Sequence, residues 1–240
     1  MKIQLIFSYD GSKFQGSQTQ PHGNGVEDVL GVALSRVGIF SKIISSSRTD
    51  KGVHANNQSA TVECGEYFKD LNRLANLINR HTHPHIHIKK IYKVSDNFQA
   101  RFDAKARAYR YVISHGEFDV FSSSYQVFLS KFDTNIANNL LKNFIGEHDF
   151  SLFMKTGSDT KSPFRRIYKA FCYEHKNKTI IVFKANGFLR GQVRLMVAAV
   201  LKAINLKDGE ELLKAQIESQ KPLTRIPAPA NGLYLHRVFY

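Results

Sequence analysis

The chain has 240 residues, 42% of them hydrophobic, and 34 basic against 20 acidic side chains give it a formal net charge of +14 at pH 7. This length and apolar content are enough to bury a core, which excludes disorder as the main state. The excess of positive charge favours a polyanionic partner, because it otherwise causes self-repulsion.

The sequence carries no sign of a membrane protein or of an exported one. No apolar run approaches the 18 residues that a membrane span requires, and the amino terminus lacks the basic stretch and apolar core of a signal peptide. Only Cys64 and Cys172 are present, so free thiols are expected rather than a disulfide framework. We therefore expect nucleic acid as the partner, no membrane and a cytoplasmic location.

The first half of the chain predicts a strand, a helix, two short strands, a second helix and a last strand. Apolar residues alternate in the strands and recur with helical spacing in the helices. The predicted strands span 2–9, 42–46, 58–63 and 86–94, and the helices span 26–37 and 68–78. Asn24 and Glu27 are spaced as a capping box for the first helix.

The second half of the chain also predicts a mixture of strands and helices. Its predicted strands span 109–114, 167–173, 180–184 and 233–239, and its helices span 136–144, 193–204 and 211–217. Residues 167–173 and 180–184 are expected to form an antiparallel pair. The pattern predicts an α/β protein of the α+β type with two comparable domains, 1–105 and 106–240, and a cleft between them.

The loop between the predicted strands 42–46 and 58–63 is a candidate reactive site. Arg48, Thr49, Asp50 and Lys51 place two cations, a hydroxyl and a carboxylate in four consecutive positions, on a loop that flanking strands would hold in place. The same residues fit a solvated turn in which Asp50 caps a backbone amide. The local pattern leaves both interpretations open.

Residues 102–111 interleave basic and aromatic side chains, which is the chemistry expected where bases stack and phosphates pair. Tyr109 and Tyr111 would share one strand face. The alternative is a strand with one core face and one solvated basic edge, and the residues alone do not decide between the two.

Arg194 lies near the start of an otherwise apolar helix, where its charge opposes the helix dipole. One interpretation is a surface residue whose aliphatic carbons pack on the protein while its guanidinium stays in water. The other is a guanidinium that pairs with a catalytic carboxylate.

Histidines occupy every second position from 81 to 87, as metal ligands on one strand face would. Pro84 interrupts the pattern, and the spacing lacks the mixed ligands of a structural zinc site. We therefore expect no metal and no cofactor, and interpret the run as a basic patch or a solvated edge.

Taken together and in order, these segments resemble the tRNA pseudouridine synthase A (TruA) family along nearly the whole chain. Its signature Gly-Arg-Thr-Asp-Ala-Gly-Val-His appears at 47–54 with six of eight positions identical. Its Asp-Phe-x-Ala-Arg-Phe-x-Ala and Tyr-Arg-Tyr segments appear at 97–104 and 109–111. Its Asn-x-Phe and Met-Val-Arg segments appear at 186–188 and 192–194, and its closing Gly-Leu-Tyr-Leu at 232–235.

The resemblance implies that Asp50 is the catalytic carboxylate of an enzyme that isomerises uridines of the tRNA anticodon stem-loop, at positions 38 to 40. It implies that Tyr109 contacts the target uracil, that Arg194 pairs with Asp50, and that Arg48 stabilises a flipped-out nucleotide. It further implies largely antiparallel sheets with helices on one face, and a homodimer. The phosphate contacts are expected from scattered basic residues, namely Arg101, Arg107, Arg110, Arg165 and Arg166.

The sequence departs from the family pattern at Ser17 and Phe164, where tryptophan is usual, and at Lys51, where alanine is usual. Residues 190–192 also replace a histidine-rich segment. These departures motivate a rival hypothesis, a non-catalytic RNA-binding module, and the histidine run motivates a second, a metal-dependent nuclease.

Overall fold

A computed structural model describes residues 1–157 and 160–240 of the chain. They form two compact units, the first from Met1–Lys105 with Tyr234–Tyr240 and the second from Ala106–Leu233. Both cysteines are free thiols. Within the two described ranges, no helix is both long and apolar enough to cross a membrane.

The first unit is built on a mostly antiparallel sheet. In chain order its elements are β1 (Lys2–Tyr9), α1 (Val26–Arg36), β2 (Ile44–Ser45), β3 (His54–Glu63), α2 (Leu71–Thr82) and β4 (Ile86–Val94). Strand β1 lies between β3 and β4 and is antiparallel to both, and β2 extends the sheet beside β3. Ile3, Leu5 and Phe7 of β1 are at most 1% exposed, since alternate residues of a strand share one face and this face forms the core.

Helix α1 begins at Val26 as predicted, but its N-terminus is capped by other residues. Its N-cap is Gly25, and the carboxylate of Asp28 accepts hydrogen bonds from the N–H groups of Gly25 and Gln20. The predicted capping box of Asn24 and Glu27 is therefore wrong. The N–H of Glu27 instead donates to the carbonyl of Ser17, so a distant loop satisfies an amide that a local cap would otherwise serve.

In the second unit, the long strands pair antiparallel. Its elements are β5 (Ala106–Ser114), β6 (Val127–Phe128), α3 (Thr134–Lys142), β7 (Gly146–Asp149), β8 (Phe164–His175), β9 (Lys178–Ala185), α4 (Gln192–Ala203) and α5 (Gly209–Ile217). Strand β9 lies between β5 and β8, and β7 pairs with β8. Phe144, Phe150, Phe153 and Phe183 are fully buried and in mutual ring contact, which makes an aromatic core beneath the helices.

The last strand, β10 (Leu233–Phe239), belongs from Tyr234 onward to the first unit. It runs parallel to β3, with Tyr234 opposite His54 and Leu235 opposite Ala55. The β1–β3, β1–β4, β2–β3, β5–β9, β8–β9 and β7–β8 pairs are antiparallel, so the sheet is mostly antiparallel, and α2 packs on β4 and α3 on β8. The predicted fold class is confirmed.

Candidate active site

The loop between β2 and β3 carries Asp50 and is held by hydrogen bonds from a distant segment. The N–H of Thr49 donates to Oγ of Ser17 at 2.8 Å, and the N–H of Ser17 donates back to the carbonyl of Thr49 at 3.1 Å. The hydroxyls of Thr49 and Tyr9 lie 2.9 Å apart. Because Ser17 and Thr49 are buried, these bonds fix the backbone immediately before Asp50, which is itself only half-buried.

The residues after Asp50 form a tight turn. The N–H of Val53 donates to the carbonyl of Asp50 at 3.2 Å, and Gly52 adopts a φ of +81°, which favours glycine. A Cβ added at Gly11 would overlap the carbonyl of Val53, so the turn lies directly against the segment that follows β1. The Asp50 backbone is thereby restrained on both sides.

His54 closes this arrangement from the first position of β3. It is 2% exposed, its Nδ1 accepts the N–H of Gly11 at 3.0 Å, and its ring stacks on Tyr234 at 4.7 Å. Sequence periodicity placed the start of this strand at 58, and it starts at His54. A rigid support of this kind is what a catalytic carboxylate needs, because the side chain must be in position before the reaction.

Replacing Ser17 by alanine should loosen the loop. The buried N–H of Thr49 would lose its acceptor, which costs about 1–3 kcal/mol of unfolding free energy. Urea denaturation measures this loss, and the catalytic rate should fall with it because Asp50 would be less well positioned. Ser35→Ala is the matched control, since its hydroxyl bonds only an exposed helix carbonyl at 2.8 Å. Equal stability of the two variants would contradict this role of Ser17.

Arg48 lies on the exposed side of the loop and interacts electrostatically with Glu27 of α1. Burial raises the pKa of the Glu27 carboxyl, and this outweighs the lowering by its hydrogen bond to Ser45 and by the charge of Arg48. Arg48 therefore lies beside one acidic side chain of α1.

The pH dependence of stability tests the state of Glu27. A carboxyl whose pKa is raised by folding contributes stability below its unfolded pKa, and this contribution is lost as pH rises through the folded pKa. We therefore expect the wild type to lose stability relative to Glu27→Gln as the pH rises from about 4 to 7. The free energy of unfolding of the variant minus that of the wild type should increase over this range. Denaturant titrations across this range measure the difference, with Glu63→Gln at an exposed position as control. A difference that shrinks with rising pH would contradict the expectation.

In the second unit, Tyr109 of β5 is 7% exposed, and Phe188 meets its ring edge-on, with 5.2 Å between centroids and 87° between planes. Gln192, the first residue of α4, is fully buried and accepts the N–H of Leu189 through Oε1 at 2.7 Å. Gln192 thereby fixes the loop that brings Phe188 to Tyr109. The motif search quoted Phe188 but did not single it out as a site residue.

Arg194 is a half-buried residue of α4 in the structure rather than a loose surface side chain. Its Nε donates to the carbonyl of Ala228 at 2.6 Å, and the N–H of Ala228 donates to the Arg194 carbonyl at 3.1 Å. The first bond orients the guanidinium, and the second fixes the backbone beside it. They also join the start of α4 to the segment that precedes β10.

Three of the predicted phosphate-binding arginines gather around Asn186. Nη1 of Arg107 donates to the Asn186 carbonyl at 3.0 Å, and the N–H of Arg166 donates to Oδ1 of Asn186 at 3.1 Å. Arg165 lies against the neighbouring Gly187, and burial lowers the pKa of its guanidinium, which stays charged at neutral pH. The guanidinium groups of Arg107 and Arg165 therefore bring positive charge to this end of the sheet, whereas that of Arg166 is paired with Glu147 at 3.3 Å.

The other two predicted arginines lie elsewhere. Arg101 belongs to the first unit and is exposed, with its guanidinium carbon 5.4 Å from the centre of the Phe102 ring. Arg110 belongs to β5, where alternation turns it to the opposite face of the sheet from Tyr109. Its Nε is buried without a hydrogen-bond partner.

No group of three or more potential metal ligands occurs in ranges 1–157 and 160–240. In the histidine run, the rings of His83 and His87 lie 5.7 Å apart, and His85 packs edge-on against Phe14. The run therefore does not assemble a ligand set.

Comparison with known proteins connects these features to a family. The sequence profile of a family described as tRNA pseudouridine synthase matches residues 5–103 and 140–240. Three relatives carry the name tRNA pseudouridine synthase A. The protein of Campylobacter jejuni subsp. doylei is 53% identical over 240 residues and 100% of both chains. That of Helicobacter pylori strain J99 is 40% identical over 242 residues and 99% of both chains, and that of Wolinella succinogenes is 36% identical over 99% of this chain and 94% of its own.

Among solved structures, a chain of a Cbf5-Nop10-Gar1 complex is similar to 81% of this chain and 44% of its own length, at 10% sequence identity. The TM-score of 0.36 is too low to relate the two folds. The full-length sequence matches and the family profile are decisive. The chain belongs to the tRNA pseudouridine synthase family, and members of this family are isomerases.

Proposed function

We propose that this protein converts uridines at positions 38 to 40 of the tRNA anticodon stem-loop to pseudouridine, with Asp50 as the essential catalytic carboxylate. Family membership supports the reaction class. The observation that carries the assignment of Asp50 is its loop, which Ser17, Gly11 and His54 restrain from three directions while the carboxylate stays half-buried. A surface turn with no role would not need such support.

The reaction breaks the bond between N1 of uracil and C1′ of the ribose, and joins C5 of the same uracil to that carbon. The proton on C5 leaves and N1 gains one, so atoms and electrons balance without a cofactor. Asp50 acts in its ionised form, either as a nucleophile towards the sugar or base or as the base that removes a sugar proton during bond cleavage. Both routes need the carboxylate.

Tyr109 is the residue that we assign to the target uracil. Its ring stacks on or contacts the base, and its hydroxyl is the candidate group for removing the proton from C5. The edge-on contact with Phe188 supports this role, because it limits rotation of the Tyr109 ring.

Two arginines complete the proposed site. Arg194 pairs with the Asp50 carboxylate and orients it, and the bond from its Nε to Ala228 supports this role because it fixes the guanidinium. Arg48 stabilises the nucleotide in its flipped-out state. Flipping is needed because a stacked uridine hides its glycosidic bond, and it costs a few kcal/mol that contacts to the RNA backbone must offset.

The remaining contacts are to phosphate. We assign them to Arg101, Arg107, Arg110, Arg165 and Arg166, and the net charge of +14 supports a partner that carries many phosphates. We further propose that the protein acts in the cytoplasm as a homodimer, because symmetric pairs are the commonest soluble assemblies and the resembling family forms them.

Mapping pseudouridine in an unmodified tRNA transcript tests this function. The transcript is incubated with the protein, and carbodiimide adducts of pseudouridine are located by reverse transcription. Stops at positions 38 to 40, absent when these uridines are replaced by cytidines, are the expected result. Tight binding without any stop would instead support a non-catalytic RNA-binding module.

A further inference from the structure

Among the described residues of the second unit, strands β5 and β9 have one buried face and one partly exposed face. On β5, Tyr109, Tyr111 and Ile113 are buried and face the core, so the intervening Arg110 and Val112 point to the other side. Strand β9 repeats this pattern, since Thr179, Ile181, Phe183 and Ala185 are fully buried whereas the residues between them are partly exposed.

The strand register places the outward-facing residues of β5, β9 and β8 side by side in two cross-strand rows. Arg110 lies opposite Val182, which lies opposite Phe171 of β8, and Val112 lies opposite Ile180, which lies opposite Tyr173. Phe171 and Tyr173 are 39% and 38% exposed, and their rings are near-parallel at 28° with centroids 6.3 Å apart. We call this surface the open face; its residues are Arg110, Val112, Lys169, Phe171, Tyr173, Lys178, Ile180, Val182 and Lys184.

The charge of the open face is positive. Lys169 lies directly opposite Lys184, and Lys178 lies at the end of the same strand as Lys184. Arg110 brings a guanidinium whose buried Nε has no hydrogen-bond partner. Two acidic side chains of the neighbouring strands are paired elsewhere: Glu147 of β7 with Arg166 at 3.3 Å and Glu174 of β8 with Lys131 at 3.1 Å. The face therefore offers the cations of Lys169 and Lys178 to an anionic partner.

We infer that the open face binds unpaired nucleotides of the tRNA, with bases stacked on Phe171 and Tyr173 and phosphates held by the surrounding cations. The inference rests on the proposed function, and it names a contact surface on the opposite side of the sheet from Tyr109. A flat antiparallel sheet with neighbouring exposed aromatics is a general platform for bases, since every base has a face that stacks. A second copy of the chain is disfavoured as occupant, because it would bring like charges together.

Two double variants test the surface. Phe171→Ala with Tyr173→Ala removes the stacking platform, and Lys169→Gln with Lys178→Gln removes two cations at exposed or half-exposed positions, which should leave the fold intact. Tyr92→Ala is the matched control, an exposed strand tyrosine of the first unit. Binding of unmodified full-length tRNA is measured at several salt concentrations, together with the single-turnover rate at saturating tRNA.

We expect the aromatic variant to bind tRNA at least about 10-fold more weakly. The lysine variant should lower the slope of log Kd against log salt by about 1 to 2. Both should keep the wild-type rate at saturation, and Tyr92→Ala should change neither quantity. Unchanged affinity and salt slope would overturn the inference. So would loss of dimerisation in sedimentation, which would make the face an interface between copies.

The same measurements separate this inference from the proposed function. If the wild type forms no pseudouridine but the variants still lose affinity, the reaction assignment fails and the open face stands. If every protein forms pseudouridine and affinity is unchanged, the open face fails and the reaction stands.

Discussion

Asp50→Asn should abolish pseudouridine formation and leave tRNA binding nearly intact. Asparagine keeps the size of the side chain and the backbone turn from Asp50 to Val53, but it can neither attack the sugar nor accept a proton. We expect the single-turnover rate to fall by about a thousand-fold or more. The dissociation constant for tRNA should change by less than about 3-fold, which is under 1 kcal/mol.

Lys51→Ala is the matched control for this experiment. It removes the neighbouring exposed charge from the same turn and introduces the residue that is usual in the resembling family, so it should retain the wild-type rate. A rate within about ten-fold of the wild type in Asp50→Asn would contradict the assignment of the carboxylate. General acid–base catalysis typically accelerates a reaction by about 100-fold or more, so its loss should lower the rate further than that.

Tyr109→Phe should uncouple binding from the final proton transfer. The phenylalanine ring can still stack on uracil and still meet Phe188, but it has no hydroxyl to remove the proton from C5. We expect the release of tritium from C5-labelled uridine to slow by about 100-fold or more, with tRNA affinity unchanged. Rapid-quench sampling measures the release.

An exposed tyrosine provides the comparison. Tyr168→Phe removes a hydroxyl from β8 at a side chain that is 44% exposed, and it should release tritium at the wild-type rate. Equal rates for Tyr109→Phe and Tyr168→Phe would assign the proton transfer to another group and leave Tyr109 with stacking alone.

The strands that the sequence predicted best are those with one buried and one solvated face. β1, β4 and β10 were predicted over the ranges at which the structure has them, because apolar residues recur at alternate positions over most of their length. β8 extends beyond its predicted range, from Phe164 to His175, since its outer residues are polar or aromatic on both faces and break the pattern.

Features that depend on distant partners were missed. β7 reads Gly-Glu-His-Asp and has no strand pattern of its own; it is a strand because it pairs with Arg165 and its neighbours on β8. The parallel pairing of β10 with β3 joins residues about 180 positions apart, which periodicity does not encode. The true cap of α1 depends likewise on the loop around Ser17.

The candidate site likewise combines residues that local motifs reveal with contacts that depend on distant partners. Motifs singled out Asp50, Tyr109 and Arg194 as candidates, because a motif is defined by residue type and order. They gave no reason to expect that Ser17, which departs from the family pattern, supplies the acceptor for the amide next to Asp50. Hydrogen bonds between segments 32 residues apart become visible only when the backbone is in place.

Tritium release from tRNA labelled at C5 of uridine tests the central claim most directly, using the wild-type protein without added metal or nucleotide. Formation of the new bond at C5 expels the label, so release reports the isomerisation itself. We predict release that reaches one equivalent for each uridine at positions 38 to 40 and is absent with tRNA that carries cytidine there. Tight, salt-sensitive binding of the labelled tRNA with no release would contradict the account.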